Sequence, residues 1–328
     1  MEKQANTSTH QGGWFTRFAW LFVLYLIGVI MFGAWVRITH SGAGCGSHWP
    51  TCHGDIIPIA PSVETMIEYT HRLTSGLCGI FGLILLGWAW AKYRASRVFY
   101  GMLVTLLFII LEGAIGAGLV LKELVADDSS AARAIVISLH LVNTLMLTGA
   151  ASLTAWWSVG NERPRLRGGH AIKWLVGAGM VALVFTSMSG AVTALGDTLF
   201  PVTPTDGGGL FAHVKDDLSA TNHFLVRLRA VHPVLAILTA AFNLWLANHV
   251  IGAEALGKGA KRWAILLASM VGVEVLLGLL NVMLHAPGWA QLSHLFTAQV
   301  IWIAVLLMGA SALNHTSRSS SGTSSTAR

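Results

Sequence analysis

Residues 111–120, LEGAIGAGLV, and residues 273–282, VEVLLGLLNV, each carry an acid at the second place and a glycine four residues later, Glu112 with Gly116 and Glu274 with Gly278. Each stretch lies inside a long apolar run, and a helix needs about 20 such residues to cross the hydrocarbon of a bilayer. Eight runs qualify, at about 14–36, 66–91, 98–121, 133–157, 171–195, 221–248, 261–285 and 288–313. With 54% hydrophobic and 11% charged residues among 328, an ordinary soluble domain is excluded. The chain reads as an all-α polytopic membrane protein.

The second half repeats the first. Subtracting positions gives 162 from Glu112 to Glu274, 157 from Gly33 to Gly190, 161 from His71 to His232 and 154 from His140 to His294. These offsets agree to within the length of a loop. Eight transmembrane helices are therefore expected as two similar four-helix bundles, related by a pseudo-two-fold axis along the membrane normal. The expected division is a tail at 1–13, a first bundle at 14–159, a linker at 160–170, a second bundle at 171–313 and a disordered Ser/Thr-rich tail at 314–328. Gly113, Gly116 and Gly118 read first as close-packing residues.

Arg17, Lys92, Arg94, Arg97, Arg163, Arg165, Arg167, Lys173, Lys258, Lys261, Arg262 and Arg318 all fall on one side of an eight-span topology. That side is cytoplasmic by the positive-inside rule, so both termini are expected there and the net charge of +6 needs no nucleic-acid partner. Asp55, Glu64, Asp127, Asp128, Asp197, Asp206, Asp216 and Asp217 then lie outside.

His71, His140, His232 and His294 occur a few residues inside the same end of alternate spans. An imidazole in hydrocarbon needs a partner, and four at one depth, two per half, suit axial ligation of two hemes held in bundle cores. Zinc would require a tetrahedral N/S set, and Cys78 is the one cysteine within a span. Heme propionates call for cations; Arg37, Arg72, Arg227 and Arg229 stand near the outer ends of spans, with snorkelling as the alternative. Glu68 precedes His71 by three residues and shares its helix face, a candidate general acid or base. Its counterpart in the second half is Arg229, whereas Glu112 and Glu274 match each other and suit a structural or proton-handling role. Cys45 and Cys52 bracket an outer loop where an oxidising compartment favours a disulfide over two free thiols.

The stretch WVRITHSGAGCGSHWPTCHGDIIP at 35–58 and the motif EYTHR at 68–72 resemble the heme A synthase family. The resemblance extends over nearly the whole membrane region. It implies an oxidoreductase of the inner (cytoplasmic) membrane that converts the C8 methyl of heme o to the formyl of heme a for terminal cytochrome oxidase. It further implies that His71 and His140, with Arg37 and Arg72, hold the substrate heme o. His232 and His294, with Arg227 and Arg229, would hold a heme b cofactor. Glu68 matches the family's functional glutamate, and Cys45 with Cys52 its outer cysteine pair. His232 is followed by Pro233, where the family often has Arg. Implied partners are a heme o synthase (protoheme farnesyltransferase), an electron-transfer partner and lipid, with room for a homo-oligomer. A non-catalytic diheme b-type electron carrier is the alternative; a transporter built of parallel repeats would instead place polar sites at the midplane.

Overall fold

The computed structural model describes residues 13–160, 170–201, 219 and 221–322. Most of the expected N-terminal tail and linker, with Arg163, Arg165, Arg167, Asp206, Asp216 and Asp217, lies outside these residues. Within them the chain is helical, with no strand beyond an isolated bridge between Cys52 and Asp55. The helices are α1 (Trp14–Ile38), α2 (Val63–Tyr93), α3 (Arg97–Leu121), α4 (Ala131–Trp157), α5 (His170–Leu199), α6 (Phe224–Arg229), α7 (Val231–Gly252), α8 (Gly257–Met283) and α9 (Gly288–Gly322).

Eight helical spans are long and apolar enough to cross a membrane, α6 and α7 together forming the sixth. This is a multi-pass membrane protein. Local chemistry sets the boundaries where polar caps are available: the Ser62 hydroxyl accepts from the N–H of Thr65 at 3.2 Å and the Ser130 hydroxyl from that of Arg133 at 3.1 Å. Where the sequence suggests one helix over 221–248, the structure has a break at Ala230. Pro233 is the cause. It has no N–H to give, and its ring crowds the carbonyl four residues back, that of Arg229, so it is accommodated in the first turn of a new helix.

Among the first four spans, α1 packs on α2 and α4, α2 on α3, and α3 on α4; among the last four, α5 packs on α7 and α9, α7 on α8, and α8 on α9. Each set closes on itself. The sets meet where α4 packs on α5 and α9 and where α1 packs on α9; α4 and α9 are 50% and 67% buried along their most apolar stretches, against 33% or less for every other span. Trp302 of α9 donates its indole N–H to the carbonyl of Leu145 on α4 at 2.6 Å, and Thr148 donates to Gln299 at 3.2 Å. These bonds satisfy polar groups that would otherwise be stranded in an apolar interior.

Packing is dense at one end of the molecule. Phe15, Leu85, Met102 and Trp156 form the core of the first set, and Ile172, Leu246, Ala264 and Met308 that of the second. Both cores lie at the ends of their spans remote from the four histidines. The histidine end is hollow.

Candidate functional site

His71 follows the start of α2 by eight residues, His140 that of α4 by nine, His232 that of the sixth span by eight and His294 that of α9 by six. At 1.5 Å per residue each imidazole enters roughly 9 to 14 Å along its span. All four line one cavity of about 1670 Å³ that extends through both halves. Pockets for a single small ligand hold about 300 to 1,000 Å³, so this one has room for two macrocycles.

The rings of His232 and His294 have centres 6.2 Å apart and planes at 85°. Two imidazoles bound to one iron from opposite faces, through bonds of about 2 Å, bring their centres ~6 Å apart. The pair therefore fits a bis-histidine heme. Ser189 Oγ lies 3.0 Å from His232 Nδ1, which leaves that ring's Nε2 for metal, and Glu274 Oε2 stands 3.3 Å from His294 Nδ1 without a hydrogen bond between them. Among the described residues no group of three or more His, Cys, Asp or Glu could hold a metal ion by itself, so the donor set suits an iron that brings its own equatorial nitrogens.

Glycine admits the rings. A Cβ on Gly190 would stand 3.0 Å from His232 Cε1, one on Gly33 3.1 Å from His71 Cε1, and one on Gly278 3.3 Å from His294 Cε1. The repeat aligns Gly33 with Gly190, and the structure gives the alignment a physical meaning: α1 and α5 offer bare backbone to an imidazole. Gly113, Gly116 and Gly118 meet nothing at that position.

Of the four histidines, His232 is the one whose Nδ1 makes a hydrogen bond among the described residues. His71 Nδ1 has no hydrogen-bond partner among the described residues; Phe32 meets the ring edge-on at 5.6 Å. His140 Nδ1 stands 3.6 Å from Glu112 Oε1, and Glu112 also accepts from Thr144 and Asn143.

Glu68 is 4% exposed and fully engaged. Its Oε2 accepts the backbone N–H of Cys45 at 2.8 Å, and its Oε1 pairs with Arg72. Arg72 also donates to the carbonyls of His48 and Thr51 at 2.7 and 2.8 Å. Cys45 and Cys52 are bonded and both inaccessible. The carboxylate is thus the tie between α2 and the disulfide loop, beside the cavity it lines.

The arginines divide. Arg37 lines the cavity but reaches into the second half, donating to Thr198 at 2.7 Å, to Gln291 at 3.0 Å and to the carbonyl of Ala194. Arg229 lines it too, paired with Asp197 at 2.8 Å and donating to the carbonyls of Gly196 and Phe200. Arg227 is exposed and does not belong to the cavity wall. Sequence reasoning missed Arg133. This residue is 5% exposed, lines the cavity, and uses Nη1 on the carbonyls of Ala126 and Asp128 while Nε has no partner. Its place seven residues before His140, two turns away on one helix face, is the signal that could have found it.

A family model described as cytochrome oxidase assembly protein, COX15-CtaA, matches residues 16–306. The chain belongs to the COX15-CtaA family. A protoheme IX farnesyltransferase of Thermus thermophilus is 43% identical over 297 residues, 90% of this chain and 48% of that protein. A heme A synthase of Halalkalibacterium halodurans is 48% identical over 96 residues, 29% of this chain and 32% of its own. A heme A synthase of Alkalihalophilus pseudofirmus is 44% identical over 128 residues, 38% of this chain and 40% of its own. This COX15-CtaA chain spans about half the length of the Thermus relative it matches.

Proposed function

We propose that this COX15-CtaA protein is a heme A synthase, an oxidoreductase that converts the C8 methyl of heme o to the formyl of heme a. The observation that carries the proposal is one cavity walled by two histidine pairs, with the buried carboxylate of Glu68 beside the first and Arg229 at the matching place beside the second. Equal surroundings would suit simple electron relay. Unequal surroundings suit a division between a heme that stays and a heme that is worked on. Relatives named heme A synthase support it.

In this reading the two closed sets of spans are duplicated bundles related by an axis along the membrane normal, with both termini cytoplasmic in the inner membrane. His232 and His294 hold heme b, which supplies a one-electron redox centre when bound. His71 and His140 hold heme o as substrate, with Arg133 and Arg72 at its propionates. Arg229 stands beside the resident site, and Arg37 fixes the two halves at the spacing electrons must cross. Glu68 orients the reacting region and handles its protons from the rim. The methyl is oxidised through its alcohol to a geminal diol, oxygen entering from water while electrons leave to the electron-transfer partner and protons to Glu68 and solvent, and the diol then loses water to give the aldehyde. A protoheme farnesyltransferase supplies heme o, and a separate electron-transfer partner removes the electrons.

The test is pigment extraction from cells that make heme o, with and without this chain. Heme a appearing only with the chain supports the proposal. A diheme spectrum without heme a would return it to the electron-carrier reading, and new heme o made from protoheme would point to prenyl transfer.

A further inference from the structure

The seam between α2 and α3 is closed at the end remote from the histidines and open towards them. At the closed end a Cβ on Gly82 would stand 2.8 Å from Ile109 Cδ1 and 3.6 Å from Leu106 Cδ1, so the two helices touch there. They run antiparallel, so six residues back along α2, about 9 Å, Gly76 comes level with the stretch of α3 that holds Gly113 and Gly116. These three glycines and Gly79 line the cavity, and a Cβ on any of them would meet no atom within 4 Å. Leu73 and Ile80 line it as well and are nonetheless 52% exposed each, so the cavity wall is breached along this flank. The matching flank of the second half carries side chains. By the offsets of 161 and 162, Ile237 and Ala240 stand for Gly76 and Gly79, and Val275 stands for Gly113.

A slot of bare helix backbone edged by Leu73, Leu77 and Ile80 offers the apolar contact that a hydrocarbon chain gains from leaving water. Its inner mouth lies five residues, about 7.5 Å, along α2 from His71. Arg133, 5% exposed on the wall of the same cavity, stands near the outer start of α4 with its Nε unpartnered. A porphyrin whose carboxylates meet cations at that end turns its opposite edge towards the seam. The geometry points to the α2–α3 seam as a lipid-side slot that receives the prenyl chain of the substrate heme, with Gly76 and Gly113 setting its width. Heme o carries that chain on the edge opposite its propionates, and protoheme lacks it. This inference rests on the heme reading above and adds the subsite that tells the two hemes apart.

The experiment titrates purified full-length protein with heme o and with protoheme, reading the low-spin absorbance gained. Gly76→Leu and Gly113→Leu should each weaken heme o about tenfold or more, the worth of roughly two buried methylenes, and leave protoheme within about twofold. Gly118→Leu, on α3 but outside the cavity wall, should change neither. Equal weakening of both hemes by the two leucines, or no weakening of heme o, would overturn the inference. Wild-type protein given heme o with a photoreactive diazirine within its prenyl chain should be labelled between residues 73 and 83 or between 106 and 116. Labelling confined to other spans would overturn it even where the leucine variants do not fold. Wild-type protein that binds neither heme would instead defeat the heme reading itself.

Discussion

The backbone N–H of Cys45 donates to Glu68 Oε2 at 2.8 Å, joining the disulfide loop to the helix that carries His71. A residue read as an acid-base candidate is therefore also a structural tie. Glu68→Gln keeps an acceptor for Cys45 but removes the charge facing Arg72. Heme a formed per heme b-containing enzyme should fall about 100-fold if the carboxylate moves protons, with the heme b spectrum unaltered. Equal turnover would remove Glu68 from the mechanism.

Arg72 tests the same junction from the other side. Arg72→Ala strands a buried carboxylate, a loss worth about 3 kcal/mol or more. The loop at 39–62 should become protease-sensitive and the protein should melt earlier, measured by limited proteolysis and thermal unfolding in detergent. A wild-type profile would show that the ion pair is not a fastening.

Because Cys45 and Cys52 are bonded and inaccessible and Cys78 is buried, a thiol reagent should find nothing in native protein. Reduction should expose two sites, both mapping to the α1–α2 loop. Labelling at Cys45 without reductant would contradict the bond.

Replacement of His232 or His294 by Leu should strip the low-spin b-type absorbance or convert it to high spin. Gly190→Ala, which presses a methyl to 3.0 Å from His232 Cε1, should perturb the same band without removing a ligand. Unchanged spectra in all three variants would sink the assignment.

Arg133→Gln should weaken binding of heme o and spare the heme b spectrum. Loss of a charge-assisted bond costs about 1.5 to 3 kcal/mol, roughly a tenfold or greater rise in KM. Arg133→Lys should restore part of it, and an unchanged KM would exclude a propionate contact.

The eight spans were legible because hydropathy over a helix length is a local property. The histidine and glutamate correspondences were legible because they are a matter of spacing along the chain. The break at Ala230 was written in Pro233 but hidden by an apolar run that continues across it. Arg37 was opaque for a different reason: Thr198 and Gln291 lie 161 and 254 positions away, and only the packing of the two halves brings them together.

The enclosure of α9 bears on biogenesis. It is the most enclosed span, it carries His294, and it leaves the ribosome after the seven others. Until it inserts, the gap between α4, α5 and α8 stays open to lipid and His232 lacks the imidazole that stands opposite it. Closure of the cavity and completion of the core are then a single late event, and a chain stalled before residue 288 would present an apolar cleft to quality-control proteases.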